Sequence, residues 1–134
     1  VTLLYKLGIS MGLGFQLQDD WMDCYGNEDK FGKPIGKDII NNKKTYLWIL
    51  ANQRAAKKDK EALNNIIENT IINNKEKIDF VLNIYDQLDI SRIVLEKINT
   101  CFDDASKMIN EIEVDEKSKA ELKKFIHQLN KRDT

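Results

Sequence analysis

A chain of 134 residues with 21 Lys+Arg against 22 Asp+Glu carries a formal charge of -1, which gives no basic footprint for nucleic acid or for an anionic membrane surface. Hydrophobic residues make up 42% and proline occurs once; with no apolar run of spanning length, stable membrane insertion is excluded and one soluble helical domain over residues 1–134 is expected. Cys24 and Cys101 are too few for a disulfide framework, and no secretory leader opens the chain, so the expected compartment is a reducing cytoplasm.

The first helix is expected from about Thr2 to Cys24. Leu3, Leu4, Leu7, Met11, Leu13, Phe15, Leu17, Trp21 and Met22 predict a helix packed on most of its sides. Gly8, Gly12 and Gly14 lower its propensity, and a tight helix crossing is the expected reason for them. Within the same helix Gln16, Asp19, Asp20 and Asp23 fall at i, i+3, i+4 and i+7, so one face carries an amide and three carboxylates. Ionised carboxylates at such spacing repel, the more so as the local dielectric falls. A hard divalent cation relieves that repulsion, and Mg²⁺ characteristically combines one or two carboxylates with water and substrate phosphate oxygens. A solvated acidic face is the competing reading; the apolar flanks and the lysines that follow argue against it. The spacing of an EF-hand loop is absent after Asp19 and Asp23.

Tyr25-Gly26-Asn27 reads as the helix stop. The connection through Asn42 then holds Gly32-Lys33-Pro34-Ile35-Gly36-Lys37-Asp38, and Lys33, Lys37, Lys43 and Lys44 could meet a diphosphate as compact point charges. A helix resumes from Lys43 with Tyr46, Leu47, Ile49, Leu50 and Ala51 partly buried, and ends around Arg54 to Asp59. Leu63, Ile66, Ile67 and Thr70 form the next apolar face, with a break at Asn73-Asn74. Ile78, Val81, Leu82 and Tyr85 mark a further short helix. The longest stripe follows Asp89, where Ile90, Ile93, Val94, Ile98, Cys101, Phe102, Ala105, Met108, Ile109 and Ile112 recur at three and four; this is core. Asp115 reads as an N-cap, before a last amphipathic face of Leu122, Phe125, Ile126 and Leu129. His127, the single histidine, stands apart from every acidic cluster, so neither a zinc site nor a serine triad can be assembled.

The ordered segment Phe15-Gln16-Leu17-Gln18-Asp19-Asp20-Trp21-Met22-Asp23, then Gly32-Lys33, Gly36-Lys37-Asp38-Ile39 and Asn42-Lys43-Lys44-Thr45-Tyr46, resembles the second aspartate-rich region of trans-isoprenyl diphosphate synthases, the farnesyl and geranylgeranyl diphosphate synthase family. The resemblance spans residues 15–45, is closest to bacterial-type polyprenyl synthetases in its Lys-Pro-Ile-Gly loop, and beyond residue 50 is only a helical pattern. It implies an all-α helical bundle, the C-terminal part of the isoprenoid synthase fold. Family members are more than twice as long and carry a first aspartate-rich motif upstream. No other Asp-Asp-x-x-Asp precedes Asp19, and Asp103-Asp104 does not repeat the motif, so the chain is expected to be the C-terminal half of such an enzyme.

The chemistry so implied is head-to-tail prenyl transfer, in which an allylic diphosphate held through Mg²⁺ ionises and isopentenyl diphosphate attacks the allylic cation. Carried over by position, Asp19, Asp20 and Asp23 are the metal-side and catalytic carboxylates, with Asp19 first for direct ligation. Lys33 and Lys43 match the diphosphate-contacting lysines, and Phe15 and Gln16 match the pair beside the isopentenyl unit. Asp38 is implied as a supporting acid, and Lys131 and Arg132 read as a solvated terminus. Lacking the first motif, this length of chain is expected to be inactive alone and, with its first helix uncovered, to self-associate as a homo-oligomer. A class I terpene cyclase would need an Asn/Asp-x-x-Ser-x-x-x-Glu motif, which is absent. A non-catalytic helical partner of a complete synthase is the remaining alternative, although such subunits often lose the acidic motif retained here.

Overall fold

The computed structural model describes residues 2–26, 35–112 and 114–131. Among them every regular element is a helix: α1 Thr2–Tyr25, α2 Lys37–Ile40, α3 Tyr46–Arg54, α4 Lys57–Glu68, α5 Asn74–Gln87, α6 Ile90–Glu111 and α7 Glu116–Asn130. The all-α expectation holds. The chain forms two compact units, Val1–Asp19 with Leu95–Thr134, and Asp20–Val94; α1 and α6 contribute to both.

In the first unit, α6 turns Ile98, Cys101, Phe102, Ala105 and Ile109 inward, as its apolar stripe requires. Gly14 is where α1 meets this stripe: a Cβ there would lie 3.0 Å from Phe102 Cζ and 3.3 Å from Cys101 Cβ. Gly8 and Gly12 are different. Nothing lies within 4 Å of a Cβ built on either, so the expected tight crossing is confined to Gly14. The expectation that α1 is packed on most sides also fails, since Leu4, Tyr5, Ile9 and Leu13 are 44–71% exposed. Those four and the two open glycines share one face by helical spacing. Asp115 caps α7 as expected, its carboxylate accepting from Ser118 N at 2.7 Å. Of the last amphipathic face Ile126 is buried, whereas Leu122 and Phe125 remain exposed.

In the second unit, Leu47, Trp48, Ala51, Leu63, Ile66, Val81, Ile84 and Tyr85 form the core shared by α3, α4 and α5. The helix expected to resume at Lys43 starts at Tyr46, because the side chain of Thr45 accepts from Trp48 N at 3.2 Å and makes Thr45 the N-cap. Thr70, expected on the face of α4, lies beyond the end of that helix and is exposed. Cys24 and Cys101 are both buried thiols. No helix among the described residues is long and apolar enough to cross a membrane.

Candidate active site

The geometry begins with the two acids of α1 that belong to the second unit. Asp20 is buried, with 5% of its surface exposed, and an isolated carboxylate at such depth is costly unless its oxygens find donors. Its Oδ2 accepts from the backbone N–H of Tyr46 at 3.4 Å, and its Oδ1 lies 3.8 Å from Lys43 Nζ. The lysine head is half in water, so this ion pair alone is worth little, up to about 1 kcal/mol. Its significance is positional: the contact places an ammonium group beside the acidic stripe.

Asp23 works in the same way one turn on. Its Oδ2 accepts from Asp38 N at 2.9 Å, and its carbonyl accepts from Gly36 N at 2.6 Å. Gly36 is the N-cap of α2, with φ 91 and no side chain to cap with, so Asp23 serves from a distance the role a local Ser or Asp has elsewhere. A Cβ on Gly36 would also lie 2.6 Å from Ile78 Cδ1, and glycine is needed here on both counts.

The short helix α2 ends in a left-handed turn at Asn42, φ 57. Lys43 N donates to Asp38 O at 2.9 Å and Asn42 N to Ile39 O at 3.1 Å, the paired backbone bonds of a Schellman motif. From α5, the buried Lys77 donates to Ile40 O at 3.3 Å and to Asn42 Oδ1. Lys77, Lys43, Asp38, Asn42, Thr45 and Cys24 are among the side chains around a cavity of about 10 Å³, room for roughly one water. The Cys24 thiol is pushed well above its ordinary range, first by burial and then by the nearby carboxylates of Asp23, Asp38 and Asp20, so it stays protonated and is no nucleophile.

In the first unit, Asp19 and Gln16 are exposed and Phe15 is half-buried. Phe15 meets Phe102 edge to face, ring centroids 6.2 Å apart. Among the described residues no group of three or more His, Cys, Asp or Glu side chains is gathered to hold an ion. The three aspartates thus stand in different settings: Asp19 exposed, Asp20 and Asp23 each engaged with backbone N–H groups of the segment that follows. Lys33 lies outside the described residues. Lys37 and Lys44 are exposed, and His127 is exposed on α7. Two residues of structural weight carried no sequence signal as such: Lys77, and Gln18, whose buried amide donates to Leu129 O at 2.9 Å across 111 positions.

Comparison with known proteins places the chain in a family. Residues 1–85 match the profile described as polyprenyl synthetase. A short chain isoprenyl diphosphate synthase of Methanothermobacter thermautotrophicus is 39% identical over 67 residues, half of this chain and 21% of that protein. A farnesyl pyrophosphate synthase of Zea mays is 34% identical over 126 residues, 92% of this chain and 34% of its own. A crystal structure of geranylgeranyl pyrophosphate synthase superposes with a TM-score of 0.84 at 32% identity, covering 99% of this chain and 42% of that one. The chain therefore spans about a fifth to two fifths of the length of these relatives.

Proposed function

Because the chain belongs to the polyprenyl synthetase family, we propose that it supplies the second aspartate-rich half-site of a Mg²⁺-dependent prenyltransferase that condenses an allylic diphosphate with isopentenyl diphosphate. The observation that carries this reading is the buried carboxylate of Asp20, which meets both the Lys43 ammonium and the Tyr46 N–H. The acids of α1 are thereby used to hang a lysine-bearing segment beside them. A solvated acidic face, the bland alternative, has no use for a buried aspartate.

Magnesium asks little of the protein, one or two carboxylates, and takes its other oxygens from water and substrate phosphate. The acids of α1 are compatible with that demand: Asp19 is exposed and is the proposed first ligand, and Asp20 and Asp23 support the segment from Gly36 to Tyr46 through its backbone N–H groups. When bound, the ion would supply positive charge to the diphosphate. Lys43, with Lys33, stabilises the negative charge that builds on the departing diphosphate, where each ~1.4 kcal/mol is a factor of ten in rate. Phe15 and Gln16 stand beside the isopentenyl unit. The site acts in the cytoplasm, and the exposed apolar face of α1 makes a homo-oligomer the expected state of the isolated chain.

These 134 residues hold no first aspartate-rich motif, so the chain alone is expected not to turn over. A coupled diphosphate-release assay with Mg²⁺ and both substrates tests this. Background rate is expected from the 134-residue chain; sustained release would overturn the half-site reading.

A further inference from the structure

Lys77 is a buried lysine, 7% exposed, on a helix whose other inward positions are Val81, Ile84 and Tyr85. Burying an ammonium costs several kcal/mol unless its donors are matched, and a methionine of the same length would pack there at no such cost. The two acceptors that Lys77 reaches lie at one place: the carbonyl of Ile40, which ends α2, and the side chain of Asn42, the left-handed residue of the turn. A helix end leaves its last carbonyls without intrahelical donors. The backbone bonds of this turn go to Asp38 O and Ile39 O, and the Lys77 ammonium supplies the carbonyl of Ile40.

The residue after that turn is Lys43. Where the chain leaves Asn42 decides where the Lys43 ammonium points, and it points at Asp20. We propose that Lys77 is a positioning residue: by holding the Ile40–Asn42 turn it keeps Lys43 beside Asp20, where the half-site reading has it meet diphosphate, and it does so without touching the substrate. The proposal rests on the half-site reading for the role of Lys43, while the hold on the turn is independent of it.

Two readouts test it on the whole chain. Lys77→Met keeps the stem and removes the donors; amide hydrogen exchange at Asn42 and Lys43 is expected to accelerate about tenfold, with α7 amides unchanged. Titration with Mg²⁺ and inorganic pyrophosphate is expected to show about fivefold weaker binding, no further loss when Lys77→Met is added to Lys43→Ala, and recovery of most of both effects in Lys77→Arg. Asn42→Gly keeps the left-handed backbone and deletes one acceptor, so it should reproduce part of the effect even if Lys77→Met fails to fold. Wild-type exchange at Asn42 and Lys43 in these variants, or an equal affinity loss with Lys43 already removed, would overturn the proposal. Should the unaltered chain bind no pyrophosphate, the half-site reading falls, and the exchange measurement still decides whether Lys77 holds the turn.

Discussion

Asp23 accepts the backbone N–H of Asp38 at 2.9 Å, fifteen positions further along the chain. A carboxylate on α1 thus stands in for the missing cap of α2, whose own N-cap is a glycine. Hydrogen bonds to charged groups are worth about 1.5–3 kcal/mol. Asp23→Ala is therefore expected to lower unfolding free energy by about 2 kcal/mol, with Asp23→Asn retaining much of it, as measured by urea denaturation. An unchanged midpoint for Asp23→Ala would show that the contact contributes nothing.

Gly36 gives the same small helix its second constraint. Gly36→Ala places a side chain at φ 91 and 2.6 Å from Ile78 Cδ1, combining left-handed strain of about 1–2 kcal/mol with an overpacking cost of similar size. The variant should lose about 2–4 kcal/mol. Adding Ile78→Val should recover only part of the packing share, leaving the backbone strain. Loss confined to a few tenths would contradict the close approach.

How much of this is legible in the sequence depends on how far apart the partners lie. The stripe from Ile90 to Ile112 and the Asp115 cap are local patterns, and both appear as read. The acidic stripe is legible as a group of charges, but not that Asp20 and Asp23 accept backbone N–H groups, because the donors from Asp38 and Tyr46 lie 15 and 26 positions away. Lys77 reaches back 35 positions to Asn42, and a lysine in a helix reads as surface charge until its partner is known. Gly8, Gly12 and Gly14 look alike in sequence, yet only Gly14 is at a close approach; helical spacing alone does not say which face is covered.

The thiol of Cys24 yields a pH prediction. Burial and the carboxylates of Asp23, Asp38 and Asp20 raise its pKa in the folded chain, whereas an unfolded cysteine titrates near ~8.5. The native state therefore keeps a proton that the unfolded state gives up. The resulting stability is complete below about pH 8.5 and declines above it, by up to ~1.4 kcal/mol per pH unit for this group. Urea midpoints between pH 8 and 10 should fall less steeply in Cys24→Ala than in the unaltered chain. Parallel slopes would show that the thiol is not held protonated.

The uncovered face of α1 predicts association. Leu4, Tyr5, Ile9 and Leu13 leave an apolar stripe in water, which soluble monomers rarely tolerate as a contiguous patch. Sedimentation at micromolar concentration should show species heavier than 15.6 kDa, and Ile9→Glu with Leu13→Glu should shift them to monomer. A clean monomer in the unaltered chain would contradict this.

The half-site reading is tested most directly by calorimetric titration of the chain with inorganic pyrophosphate, with and without Mg²⁺. Binding should require Mg²⁺ and should weaken about tenfold in Asp19→Asn, the exposed acid expected to meet the ion. Binding that ignores Mg²⁺, or that survives Asp19→Asn unchanged, would contradict it.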